Sequence, residues 1–221
     1  MYDINEARQI IQRELPEEPN LHSLVSSFAT IIEFLNEFPD YLSWRGNNRP
    51  NLERLANKYI SGYLHTDLPA EPGTIPDQMV SVIMNQFYEY EEAQLEFIKV
   101  SHQHSMCAEN CVGALLERYI ASYATDWSWC CGNFVKAIDF LQKDTSGAWN
   151  LLQIKNRDNT ENSSSSAIRN GTEIAKWFRT FSRTGATNWD NLPPSLQRHG
   201  LSEQGFVDFV RNYIRIHTTN H

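Results

Sequence analysis

Asp139, Gln153 and Lys155 combine a carboxylate, an amide and an amine at a spacing that suits phosphodiester hydrolysis. That reaction needs a nucleophilic water, a divalent cation to take up developing negative charge, and a fixed phosphate. The Asp139 carboxylate is a hard oxygen ligand for Mg²⁺, and Lys155 can orient or deprotonate the water. The Gln153 amide oxygen and the Ile154 backbone carbonyl are further candidate metal ligands, although the neutral Gln153 leaves this set with one negative charge.

A β-hairpin would bring these residues together. Residues 134–142 and 149–154 are short apolar runs, which predict two strands, and the polar residues 143–147 predict the turn between them. Residues 127–131, with the sequence WSWCC, and residues 186–192 are candidates for further strands of the same sheet.

The register of the hairpin decides which side chains share a face. Symmetry about Thr145 places Asp139 opposite Leu151, with Gln153 as its diagonal neighbour. Because side chains alternate with a period of two, Asp139 then shares one face with Gln153 and Lys155. A slip of one residue would turn Asp139 away from that face. The opposite face, directed toward a core, carries Ile138, Phe140, Leu152 and Ile154.

A strongly polar stretch, residues 156–170, follows the second strand and holds side chains that contact DNA in other proteins. Arginine makes bidentate contacts to guanine and asparagine to adenine, while serine hydroxyls and lysines suit phosphates. A flexible Ser/Asn linker is the alternative interpretation. Thr172 offers an N-cap, and residues 173–182 then predict an amphipathic basic helix. The candidates for DNA contact are Asn156, Arg157, Asn159, Asn162, Ser163, Ser164, Ser165, Ser166, Arg169, Asn170 and Lys176, and the predicted helix also carries Arg179 and Arg183.

The pattern of Asp139 followed by Gln153-x-Lys155 resembles the (D/E/Q)xK form of the PD-(D/E)xK nuclease motif. The segment LLQIKNRDNTENSSSS, residues 151–166, is similar to type II restriction endonucleases of the SinI/AvaII kind, and we extend that resemblance over about residues 107–215. It implies a Mg²⁺-dependent endonuclease that cuts double-stranded DNA at GGWCC or a related GG(N)CC site. It also implies an α/β (α+β) fold, in which helices flank a mixed, restriction-endonuclease-like sheet.

Glu117 is a further catalytic candidate that the resemblance brings in. The pattern Gly-x-x-Leu-Glu-x-Tyr-Ile around it is similar to the helix that precedes the catalytic hairpin in this nuclease fold. A glutamate there would supply the negative charge that Gln153 lacks. A surface glutamate that pairs with a neighbour such as Arg118 is the alternative.

Apolar residues at helical spacing predict six helices, and three prolines predict a linker over residues 68–76. We expect a helical N-terminal region, residues 1–100, that dimerises or clamps DNA, and a catalytic nuclease core with its recognition loop, residues 101–221. The predicted helices cover residues 3–15, 21–38, 50–64, 76–100, 107–124 and 203–217.

The formal net charge of −8 argues mildly against a DNA-binding protein, but the charge is unevenly distributed. Residues 150–221 hold nine Lys/Arg and six Asp/Glu, so a local basic face could still follow phosphates. We expect a cytoplasmic protein, since the sequence contains no signal peptide, no membrane-spanning run and only four cysteines. Those cysteines could hold zinc only if the fold brings them together.

Three functions compete on these features. A type II restriction endonuclease would act on double-stranded DNA as a homodimer, because a two-fold symmetric site calls for a two-fold symmetric reader, and a cognate methyltransferase would be encoded nearby. A repair or nicking nuclease of the same fold would act as a monomer. A non-catalytic helical DNA-binding regulator would tolerate alanine at both Asp139 and Lys155.

Overall fold

The computed structural model describes residues 1–15, 21–44, 48–70, 77–158 and 173–218. The chain divides into two compact units, a larger one formed by Met1–His65 and Leu116–His221 and a smaller one formed by Thr66–Leu115.

The larger unit contains a four-stranded mixed sheet in the order β1-β2-β3-β4. The β1–β2 and β2–β3 pairs are antiparallel, whereas β3 and β4 are parallel. The sequence WSWCC therefore supplies a strand, as predicted, but residues 186–192 contribute only a bridge between Thr180 and Thr187. The strands are β1 (Ser128–Trp129), β2 (Phe140–Lys143), β3 (Trp149–Arg157) and β4 (Ile174–Thr180).

The predicted β2–β3 hairpin is confirmed, with its turn centred one residue later than predicted. Lys143 pairs with Trp149, so the centre lies at Ser146 and not at Thr145. The Asp144 carboxylate fixes this turn by accepting hydrogen bonds from the backbone N–H groups of Ser146 at 2.8 Å and Ala148 at 2.9 Å. This loop geometry sets the register of the hairpin.

Strand β2 is also shorter than predicted, since it begins at Phe140 and not at residue 134. Ala137 has a φ of 59°, in the left-handed region that interrupts extended backbone. Phe140 pairs with Leu152, and continuing that register by one residue places Asp139 opposite Gln153 and not opposite Leu151. Because the partner shifts by two positions, the predicted face of Asp139 does not change.

The helix predicted over residues 173–182 is wrong, because this segment forms strand β4. Ile174, Trp177 and Phe178 are β-branched or aromatic residues that favour a strand once a neighbouring edge is available. β3 provides that edge, and the sixteen residues between the two strands are long enough for a parallel connection. The predicted N-cap, Thr172, lies outside the described residues.

Helices of the larger unit follow the predicted segments closely. Asp3 caps the first helix by accepting from the N–H groups of Asn5 and Glu6, and Asn51 caps the third in the same way. The helical N-terminal region and the mixed sheet flanked by helices confirm the predicted fold class. The helices in chain order are α1 (Ile4–Glu14), α2 (His22–Glu37), α3 (Leu52–Leu64), α4 (Gln78–Tyr88), α5 (Glu92–Tyr123), α6 (Pro194–Gln197) and α7 (Glu203–Thr218), with 3₁₀ turns at Pro39–Tyr41 and Trp189–Asn191.

The break between the two middle helices differs from the prediction. The sequence predicts helices over residues 76–100 and 107–124, whereas α5 runs without interruption through residues 100–107. The chain breaks earlier instead, at Glu89, whose φ of 59° ends α4. Of the predicted linker, residues 71–76 lie outside the described part of the chain.

In the described part of the chain, no helix combines the length and apolar character required to cross a bilayer.

Helix α3 and the segment after β1 approach each other through a glycine pair. A Cβ built on Gly62 would lie 2.3 Å from the Gly132 backbone nitrogen, and Gly132 itself has a φ of +90°. Only glycine fits both positions, because the neighbouring atoms are backbone and cannot move aside. This contact fixes α3 against the chain that leads into the hairpin.

Alanine at Gly62 therefore tests this contact, with Gly113 in α5 as a matched control. A Cβ at Gly113 meets nothing within 4 Å, so Gly113→Ala should stabilise the helix by about 1 kcal/mol. Gly62→Ala gains the same helix propensity but overpacks backbone, and we expect a net loss of at least about 2 kcal/mol. Urea unfolding monitored by circular dichroism gives both values, and equal effects at the two glycines would contradict the close approach.

Candidate active site

Strand registers place Asp139, Gln153 and Lys176 in one row across β2, β3 and β4. Asp139 lies opposite Gln153 by the hairpin register, and Gln153 pairs with Lys176 in the parallel β3–β4 register. Paired residues of neighbouring strands present side chains on the same face, and Lys155 lies two residues further along that face, beside Phe178. Lys176 was predicted on a helix, so its position beside Gln153 is a feature that the sequence did not reveal.

Asp139 is fixed by its own backbone between two strands. Its N–H donates to the Leu152 carbonyl at 2.9 Å, and its carbonyl accepts from the Cys130 N–H at 2.8 Å. The carboxylate in turn accepts from the Ile154 N–H, with 2.6 Å between Oδ2 and the nitrogen. This side-chain bond continues the hairpin ladder one step past the start of β2.

Burial raises the pKa of the Asp139 carboxyl, and the Ile154 N–H and the charge of Lys155 partly oppose that rise. The electrostatic effect of Lys155 on Asp139 agrees with their predicted proximity on one face. A half-buried carboxylate is also an oxygen ligand that a divalent cation can bind.

The oxygen atoms around Asp139 fit a hard divalent cation. The N–H and C=O of one strand residue point to the same edge, so the Ile154 carbonyl is directed to the side of β3 where its N–H meets Asp139. Gln153 adds an amide oxygen, and its side chain is nearly fully buried, with 2% of the residue exposed. Carboxylate, carbonyl and amide oxygens are the donors that Mg²⁺ and Ca²⁺ take in proteins.

Glu117 lies on α5, and its Oε2 accepts a hydrogen bond from the Trp129 indole N–H at 2.9 Å. After burial, the charges of Asp139 and Glu117 both raise the pKa of the Cys130 thiol, so the two carboxylates act on a common neighbour. Within the described ranges, however, no group of three or more His, Cys, Asp and Glu residues could hold a metal ion, which also removes support for a zinc site. A role for Glu117 at the metal stays a prediction.

Asn156 and Arg157 end β3, next to Lys155. The Asn156 side-chain oxygen accepts from the Arg179 Nε at 3.0 Å, and its backbone carbonyl accepts from the Thr180 hydroxyl at 3.0 Å. Arg157 is exposed at the strand end. The other proposed loop contacts, Asn159, Asn162, Ser163, Ser164, Ser165, Ser166, Arg169 and Asn170, lie outside the described residues.

An ion pair that the sequence did not indicate supports this strand end. Arg179, predicted on a basic helix, lies on β4 and pairs with Glu203 at the start of α7. The other Glu203 oxygen accepts from the Trp189 indole N–H at 2.8 Å. Arg179 thereby links Asn156 to Glu203, which holds the end of β3 against the C-terminal helix. A glutamate 24 residues away in sequence gave no local pattern from which this contact could be predicted.

Helix α2 covers the far end of the same sheet face. The Phe34 and Trp149 rings contact each other at a centroid distance of 5.2 Å, and Lys143 forms ion pairs with Glu33 and Glu37. The half-buried Lys155 and the exposed Arg157 lie toward the other end of β3. A substrate would therefore reach this face near the end of β3.

Comparison with known proteins identifies the family of this chain. The protein-family model of the SinI restriction endonuclease matches residues 7–216, a wider span than the resemblance drawn from residues 107–215. The type II restriction enzyme Eco47I of Escherichia coli is 44% identical over 206 residues, which cover 86% of this chain and 87% of that protein. The type II restriction enzyme SinI of Salmonella infantis is 43% identical over 203 residues, which cover 87% and 88%. The match confirms the prediction of a site-specific deoxyribonuclease, and the chain belongs to the SinI restriction endonuclease family.

Proposed function

We propose that this protein is a Mg²⁺-dependent restriction enzyme that cleaves double-stranded DNA at GGWCC or a related GG(N)CC site. The observation that carries the proposal is the half-buried Asp139 carboxylate, which lies in a row with Gln153 and Lys176 and whose pKa is influenced by the charge of Lys155. Family membership supports sequence-specific DNA cleavage, and the residues of this row supply its chemistry.

Asp139, Gln153 and the Ile154 carbonyl would hold the metal ion. When bound, Mg²⁺ lowers the pKa of a water ligand and stabilises negative charge that develops on the phosphate. Gln153 contributes an oxygen but no charge, so the protein should need more Mg²⁺ than it would with a second carboxylate there. Glu117 is the candidate for the missing charge.

The two lysines of the face have different roles in this proposal. Lys155 shares the face with Asp139 and orients the attacking water or removes its proton. Lys176 pairs with Gln153 on the next strand and neutralises a phosphate oxygen beside the cleaved bond. Both lysines are half-buried, which limits the positions that their ammonium groups can take.

Sequence recognition is proposed for the segment that leaves β3. Arg157 and Asn156 begin it, and Arg169 lies near its other end, so the segment offers donors for the guanines of each half-site. The anchoring of Asn156 by Arg179 gives the segment a fixed starting point. The serines 163–166 are assigned to phosphates.

A homodimer would present two copies of this face to the two strands of a symmetric site. A cognate methyltransferase encoded nearby would protect the host DNA. A restriction enzyme cleaves DNA that enters the cell, and that DNA arrives in the cytoplasm. We therefore place the enzyme in the cytoplasm.

Lys155→Ala tests the chemistry at this hairpin. Binding to cognate DNA should persist, because Asp139 and the loop remain, whereas cleavage of a plasmid that bears the site should fall by about two to four orders of magnitude. Lys143→Ala is the matched control, since Lys143 lies on the same face but pairs with Glu33 and Glu37 under α2. Full activity in Lys155→Ala would end the assignment of the active site to this hairpin.

The same assay with Gln153→Glu tests the metal ligands over a Mg²⁺ titration. If Gln153 is a ligand, the added carboxylate should lower the Mg²⁺ concentration that gives half-maximal cleavage, or at least preserve activity. A large loss of activity at every Mg²⁺ concentration would remove Gln153 from the ligand set.

Asp139→Asn separates activity from stability. The pKa of Asp139 is raised in the folded protein, so the stability that this carboxyl contributes is fully present below its ordinary pKa of about 3.9 and is lost as the pH rises through the folded value. Asp139→Asn should therefore abolish cleavage yet raise the melting temperature near neutral pH in metal-free buffer. That gain should disappear as the pH falls below the ordinary aspartate range, and a lower melting temperature at neutral pH would contradict the cost of burying this charge.

Arg157→Ala tests recognition. A bidentate contact to guanine discriminates by about 1–3 kcal/mol, so cognate binding should weaken by that amount and non-cognate binding far less. Arg169→Ala should do the same if that arginine contacts the second guanine. Arg211→Ala, on the exposed surface of α7, is the control that should leave both affinities unchanged. Equal losses on the two DNAs would reassign the arginine to a phosphate contact.

A further inference from the structure

The smaller unit exposes a large apolar surface. In the described part of the structure, α4 buries none of its residues. The exposed fractions are 59% for Ile83, 76% for Phe87 and 73% for Phe97 on the adjoining α5. Six more large apolar residues of this unit are at least 40% exposed: Met79, Val80, Val82, Tyr88, Val100 and Met106.

Helix α4 carries apolar residues on more than one side, as helices do that are buried against other parts of a protein. Val80, Ile83 and Phe87 follow one another at helical spacing and form a stripe, and Met79 and Val82 extend it around the helix. Helices that are apolar on most sides are buried in folded proteins. These nine side chains form the apolar patch of the smaller unit. Taking about 150–250 Å² for a fully exposed aromatic side chain, they together expose roughly 1,000 Å², against the ~800 Å² per partner of a stable interface.

Charge argues against two classes of partner for this patch. Residues 66–115 contain eight Asp/Glu and one Lys/Arg, Lys99, which gives a net charge of −7. DNA phosphates and anionic lipid headgroups would be repelled by such a unit. An eleven-residue helix is also only about 16 Å long, roughly half the thickness of a bilayer core. The surface therefore fits a protein partner.

The geometry points to a second copy of this chain as that partner, with the two patches meeting about a two-fold axis. This inference rests on the proposed function, because cleavage of both strands of a symmetric site requires two active sites. An isologous contact places the same apolar patch on each side, so no complementary surface is needed elsewhere. The sequence predicts a dimer contact somewhere within residues 1–100, and this inference places that contact on α4 and the first half of α5.

A two-fold contact between these units has a distinctive salt dependence. Each partner brings a charge of −7, so salt that screens the repulsion should tighten the dimer. DNA binding should respond in the opposite direction, because it releases counterions. A partner surface of basic character would instead make the contact weaker in salt.

The test uses the full-length protein without DNA, followed by light scattering coupled to size-exclusion chromatography and by analytical ultracentrifugation. Ile83→Glu and Phe87→Glu should each raise the dimer dissociation constant by roughly 100-fold or more, since each change occurs twice in the interface. Ile216→Glu is the matched control, because Ile216 on α7 is 51% exposed and lies outside the patch. Circular dichroism should show unchanged folding in all three, since the substituted side chains are exposed within one chain.

The outcomes separate this inference from the proposed function. A dimer that tightens with salt and is lost in the two α4 variants supports the interface, whether or not the protein cleaves DNA. A wild-type monomer at micromolar concentration, a dimer that survives both α4 substitutions, or one that weakens with salt overturns it. Absence of Mg²⁺-dependent cleavage in a protein that dimerises through α4 would overturn the proposed function alone.

Discussion

The hydrogen bond from the Ile154 N–H to the Asp139 carboxylate is the contact on which the candidate active site depends. β3 runs on past the start of β2, and at that point a side-chain oxygen takes the place of a strand carbonyl. Two residues before Asp139, the left-handed Ala137 interrupts the extended backbone, so β2 does not extend further along β3. The candidate site therefore begins where the β2–β3 hydrogen-bond ladder ends, and the backbone of β3 holds the carboxylate in place.

Burying that carboxylate is unfavourable for folding, as the raised pKa of Asp139 indicates. Lys155 offsets part of the cost, and a divalent cation held by the same oxygens would offset more. A second carboxylate at position 153 would lie beside the first, at a position that is 2% exposed, and the two charges would repel each other. The neutral Gln153 avoids this repulsion. A neutral amide is therefore compatible with the burial of position 153.

Local patterns in the sequence predicted the hairpin, the shared face of Asp139, Gln153 and Lys155, and the helices α1 to α3. The features that these local patterns did not predict depend on contacts between residues distant in sequence or on single backbone angles. Isolated periodicity favours a helix for residues 173–182, and only the free edge of β3 makes that segment a strand, which brings Lys176 to the site. Two local geometries are not specified by composition. The Asp144 turn moved the centre of the hairpin by one residue, and the left-handed Glu89 moved a helix break.

The uneven charge of the two units explains how a chain with a net negative charge can belong to a family of DNA-cleaving enzymes. The whole chain carries a net charge of −8 and residues 66–115 carry −7, which leaves −1 for the larger unit that holds the sheet and the candidate site. A near-neutral unit can present Lys155, Lys176 and Arg157 to phosphates and bases without a strong opposing field of its own. The acidity is concentrated where apolar side chains are exposed and where contact with DNA would be unfavourable. Charge therefore favours contact with DNA by the larger unit, which holds the candidate site.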